Sequence, residues 1–124
     1  MAFIADVIFD SGLSYADTNG TRLDICYTAE PTTYAQATST QSCGNATVNT
    51  SAPAAGSPSG RAVTVPAITA GSVTATQTAG WWALSDGTSE LLATGTLTAT
   101  QAVTSGNTFT LDAITITVID AVAV

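Results

Sequence analysis

The stretch that most restricts the fold runs from Gly71 to Leu97, GSVTATQTAGWWALSDGTSELLATGTL, where two alternating apolar runs meet across Ser85-Asp86-Gly87-Thr88-Ser89. An Asp-Gly pair supplies the positive backbone angles of a tight turn, so the stretch predicts a β-hairpin. Side chains alternate between the faces of a strand, which sets Trp82 and Leu84 on one side and Trp81 and Ala83 on the other. Leu91, Ala93, Gly95 and Leu97 share one face of the returning strand. The two tryptophans cannot enter the same layer. Trp82 is expected in the core with Leu84, and Trp81 on the far face beside Ala83 and Ala79. A lone exposed indole suits a monomer surface poorly and tryptophan is enriched at interfaces, so Trp81 is the candidate subunit contact; a second covered layer is the alternative.

Turn signals recur along the chain at intervals of about 8 to 12 residues and delimit about six to eight short strands. The fold class this implies is all-β, an antiparallel β-sandwich or barrel-like body with one short helix and a long loop. Leu13 to Ala16 and Arg22 to Tyr27 flank Asp17-Thr18-Asn19-Gly20-Thr21, and Asn-Gly between apolar runs predicts a further hairpin. Ahead of it, Phe3, Ile4, Val7 and Ile8 follow neither strand nor helical spacing. Residues 1–12 are therefore expected to form an arm that docks on its own domain or on a neighbour, and those four residues join Trp81 as interface candidates. Pro31 to Ala37 is the helix-compatible stretch, because proline suits a first turn. Residues 38–60 are small and polar, broken by Pro53, Pro58 and several glycines, and read as a long loop. Near the end, Phe109 and Leu111 hold one phase and Ile114, Ile116 and Val118 the opposite one, which predicts a β-bulge at Asp112-Ala113.

Charge narrows the function. The 124 residues fit one domain, 1–124, and carry a net charge of −7 with two arginines, no lysine and no histidine. A phosphate backbone would be repelled, so nucleic acid is not expected as a partner. No apolar run approaches the roughly 20 residues of a membrane span, and the start lacks the basic region of a cleaved signal, so neither a membrane nor the usual export route is expected. Without histidine there is no Ser-His-Asp or Cys-His constellation; without lysine, no Schiff base or P-loop. The scattered carboxylates suggest no metal site and no cofactor, and Asp86 and Glu90, which flank one turn, imply no catalytic cleft. Cys26 and Cys43 lack a zinc pattern and read as two idle thiols, one disulfide between them being the alternative.

Four segments carry a resemblance: AEPTTYAQATST at Ala29 to Thr40, GRAVTVPAITAGSV at Gly60 to Val73, WALSDGTSELLATGTLTA at Trp82 to Ala99, and QAVTSGNTFTLDAITITV at Gln101 to Val118. In these the chain resembles the small, threonine-rich β proteins encoded among the virion-structural genes of tailed bacteriophages and their prophages. The resemblance implies a non-enzymatic virion protein made in the host cytoplasm, with capsid decoration, or cementing, as the favoured role. Its implied partners are the major capsid protein and copies of itself. The cysteines are not part of that pattern. A tail- or fibre-associated protein would share the composition, and a carbohydrate-binding module using Trp81 as a stacking platform is the rival from another class.

Overall fold

The computed structural model describes residues 5–119. Among these residues nine strands, all paired antiparallel, form two sheets. The strands are β1 Arg22–Cys26, β2 Ser42–Thr47, β3 Ala54–Ala55, β4 Arg61–Val65, β5 Ile68–Val73, β6 Gln77–Ser85, β7 Leu91–Val103, β8 Thr108–Leu111 and β9 Ile114–Val118. Sheet A runs in the order β7-β6-β1-β2-β5-β8, and sheet B in the order β3-β4-β9. Sheet A curls into a half-barrel, so the β-sandwich or barrel-like class expected from the sequence is the architecture found.

The core lies where sheet A faces sheet B. Leu23, Ile25, Leu84 and Phe109 from the large sheet meet Val65 from the small one, with Ile114 and Ile116 at its margin. Each fully buried leucine or isoleucine contributes about 1.5 to 3 kcal/mol, which makes β1 the energetic centre of sheet A. The opposite face of β1 is covered too. A helical turn from Tyr34 runs into a π-helical segment, Gln36–Thr40, whose Ala37 packs with Cys26 and Ala83, while Trp81 and Leu91 close the cluster. Residues 23–26 are consequently buried on both faces.

The central hairpin forms as its sequence dictates. Trp82 pairs with Gly95 and Leu84 with Ala93 in the β6–β7 ladder. Gly87 takes φ +76°, a backbone angle that glycine adopts without steric cost. The Asp86 carboxylate accepts the backbone N–H groups of Thr88, Ser89 and Glu90 at 2.8, 2.9 and 3.0 Å. The ladder then slips at Gly80, passing from Trp81↔Thr96 to Ala79↔Gln101. That slip returns Ala79 to the inner cluster rather than leaving it beside Trp81, and leaves residues 97–100 bulging from the pairing.

Several expectations are corrected. Residues 6–19 are neither arm nor hairpin strand but helix α1, Asp6–Asn19. Phe9, Leu13 and Ala16, spaced as one helical face, are its least exposed apolar residues, and Asp10 pairs with Arg61 of β4 at 2.8 Å. Gly20 ends the helix, its N–H bonding the Ala16 carbonyl at 2.7 Å. A Cβ on Gly20 would stand 2.5 Å from that carbonyl oxygen and 2.9 Å from Thr50 Oγ1, so Asn19-Gly20 serves a crowded helix exit, not a hairpin. Residues 38–60 are not one loop: β2 lies within them, paired on both sides, and β3 follows. The short helix sits a few residues later than expected. At Asp112-Ala113 the chain leaves β8 in sheet A for β9 in sheet B, so the phase reversal marks a corner between sheets rather than a bulge within one strand.

Candidate functional site

Five residues stood as interface candidates. Phe3 and Ile4 lie outside the described residues. Val7 and Ile8 project from α1 at 66% and 63% exposure, with Tyr15 also exposed about two turns further on. Tyr15 donates its phenol to the Glu90 carboxylate across the central hairpin turn. That bond, together with the carboxylate's charge, holds the Tyr15 phenol above its usual pKa. Val118 and Ile119, at the end of β9, are exposed apolar residues as well. Trp81 is partly buried and packs on the Cys26, Ala37 and Ala83 cluster. It belongs to the covered second layer, because the π-helical segment roofs that face of sheet A.

Cys26 and Cys43 are both buried free thiols. They sit in different clusters, on opposite faces of the sheet, and no disulfide joins them. The Cys26 thiol leans on the Ala37 carbonyl at 3.5 Å and that of Cys43 on the Ile25 carbonyl at 3.4 Å. Burial pushes the Cys26 thiol up to about 12 and raises that of Cys43 as well. Neither is a ready thiolate.

Two features escaped the sequence reading. The first is a buried acid. Asp24, wholly enclosed under the π-helical segment, receives Arg22 through two bonds of 2.8 and 3.0 Å and the Ser42 hydroxyl at 2.7 Å. Arg22 also reaches the Thr38 carbonyl at 3.3 Å, tying the roof to β1. A spacing of two places Arg22 and Asp24 on one face of a strand, and that was the available signal.

The second is a cleft of about 480 Å³ at the open seam of the half-barrel. One wall is β7 from Thr96 to Gln101, including the bulged residues; the other runs from Thr110 through the Asp112-Ala113 corner to Ile114. Trp82 forms part of its floor, so the indole expected wholly within the core is only partly buried and reaches the cleft. Among the described residues, Asp112 is the one charged group on its lining. No protein-family model, curated protein or solved structure matches this chain.

Proposed function

We propose that this chain is a non-enzymatic structural protein of a phage virion, acting in many copies as a capsid decoration or cement protein. The observation that carries the reading is the exposed side of α1, where Val7 and Ile8 project into solvent beside the half-exposed Tyr15. Exposed apolar side chains grouped on one element suit a contact surface rather than a free monomer. A particle with repeating symmetry multiplies such a modest contact, because each copy held at several points faces a high effective concentration of its neighbours. The sequence adds a chain without lysine or histidine, which offers little for most catalytic templates, and the resemblance to virion-structural β proteins.

Against the rival glycan reading stands the packing of Trp81, which is partly buried on the second-layer cluster rather than presented as an open platform. Electron microscopy of purified particles, with and without this protein, tests the proposal. Regular density on the shell, lost when the protein is absent and weakened by Val7→Ser with Ile8→Ser, is the expected result. Absence from the particle, or density at the tail tip alone, would defeat the capsid role.

A further inference from the structure

Asn19-Gly20, the one Asn-Gly pair in the chain, stands where α1 hands over to β1. An asparagine followed by glycine is chemically labile, because the glycine nitrogen has no side chain beside it to shield its attack on the neighbouring amide carbon. In the folded chain both reacting groups are engaged. The Gly20 N–H donates to the Ala16 carbonyl at 2.7 Å, and the Asn19 side-chain amide donates to the Tyr15 carbonyl at 3.0 Å. Gly20 is also buried, and the Thr50 hydroxyl donates to its carbonyl at 2.8 Å. The lock is therefore the last turn of α1, and that turn is weakly built. Among the described residues Leu13 is the one buried residue of the helix, Ala5 gives no side-chain cap, and the last turn holds Asp17 but no basic residue. An acid there opposes the carbonyl end of the helix dipole. Two side-chain ties fasten α1 to the β body, Asp10 to Arg61 and Tyr15 to Glu90 beside the hairpin turn, the second of them exposed. Elements held by so few buried contacts open locally at less than the cost of unfolding the whole.

We propose that Asn19 is a site of spontaneous covalent modification, gated by release of the C-terminal half of α1 from its Tyr15–Glu90 tie. In the opened segment the Gly20 nitrogen attacks Asn19 Cγ: the N–Cγ bond forms, the Cγ–Nδ2 bond breaks, and ammonia leaves with the proton of the Gly20 amide. Water then opens the cyclic imide at either carbonyl, giving aspartate, or isoaspartate with the main chain rerouted through Cβ and Cγ. Water is the sole co-reactant. Either product works against reclosure. Aspartate adds a negative charge at the carbonyl end of the helix and loses the donor to the Tyr15 carbonyl, while isoaspartate lengthens the backbone at an exit where Gly20 has no room even for a Cβ. A reversible opening thereby becomes a one-way release of α1, the element that carries Val7 and Ile8. The inference stands apart from the virion role and does not depend on it.

The test incubates the full chain at mildly alkaline pH, in buffer and in rising urea, while mass spectrometry follows conversion of the Asn19 amide to an acid. Asn19→Gln, which closes the corresponding ring far more slowly, marks the background. The rate in buffer is expected to lie about tenfold or more below that of the unfolded chain, as an opening equilibrium requires. It should stay level with urea until the unfolding transition begins, because a local opening exposes little surface. Tyr15→Phe is expected to speed the reaction in buffer about threefold, in keeping with the loss of one exposed hydrogen bond, and to change nothing in concentrated urea. Amide exchange on the modified chain should find α1 unprotected and β1 still protected. A rate that climbs with urea from the outset, or reaction in urea alone, would tie the chemistry to global unfolding. An indifferent Tyr15→Phe would take the Glu90 tie out of the gate, and a modified chain whose α1 amides stay protected would deny the release. Each of these overturns the proposal, as does a folded chain that reacts as fast as the unfolded one.

Discussion

The indole of Trp82 lies directly across from Gly95, so close that a Cβ on the glycine would stand 2.6 Å from three of its ring atoms. The two are cross-strand partners in the β6–β7 ladder. The missing side chain is what lets the ring settle into the sheet and form the floor of the seam. Gly95→Ala is expected to force the ring aside and cost about 1 to 3 kcal/mol, the usual range for overpacking. Urea denaturation measures the loss, and a shift in tryptophan emission reports the moved ring. An unchanged midpoint would mean that the ring has room to yield.

Both tryptophans should matter to the isolated chain. Each is partly buried and packed on a separate cluster, so truncation of either to alanine is expected to cost about 2 kcal/mol, below the range for full burial. If Trp81→Ala leaves thermal stability untouched while Trp82→Ala lowers it, the second layer contributes nothing and Trp81 reverts to a surface contact.

Asp24 is the acid whose loss should be felt most. Replacing it with alanine leaves Arg22 and the Ser42 hydroxyl without their buried acceptor, and a loss of about 2 to 3 kcal/mol is expected because Arg22 stays partly solvated. Removing both charges together, as Arg22→Met with Asp24→Leu, should recover much of it. A double variant as unstable as the single one would show that the pair does more than satisfy itself.

The turn acid supplies a dependence on pH. The backbone N–H groups of Glu90, Ser89 and Thr88 hold the Asp86 carboxyl below its usual range. A carboxyl lowered by folding stabilises the native state above its unfolded value, about 3.9, and that stabilisation drains away as the pH falls through the folded value. The melting temperature should therefore exceed that of Asp86→Asn at neutral pH, with the gap closing in acid. A gap of constant size across the titration would refute the assignment.

Thiol reagents offer a simple check of burial. Cys26 and Cys43 should both resist modification in the native protein and react together on unfolding, with no disulfide on a non-reducing gel. Rapid labelling of either one in the native state would contradict the packing.

What could be read from the residues followed the range of the forces involved. The Asp86-Gly87 turn and the alternation through Trp82 and Leu84 are local, and they stand as expected. The first hairpin failed because Asn-Gly suits a helix exit as well as a turn. The spacing of Phe9, Leu13 and Ala16 held the helical signal, but exposed Val7 and Ile8 masked it. Strand β2, SCGNAT, carries little apolar pattern because only Cys43 and Ala46 reach the inner cluster; its place between β1 and β5 is set by partners remote in sequence. The cleft was illegible for the same reason. Neither Thr96 to Gln101 nor Thr110 to Ile114 is unusual alone, and only the curl of sheet A brings them face to face.

The order of strands in sheet A also constrains the chain's history during synthesis. β1 carries Leu23 and Ile25, yet one of its two neighbours, β6, emerges far later from the ribosome. Until Leu84 and Trp82 arrive to pair with them, one edge of that apolar strand is open, and closing so long a loop delays any reward. Productive folding therefore waits on the second half of the sequence, and a stall between β5 and β6 would leave one edge of that apolar strand open with only β2 beside it.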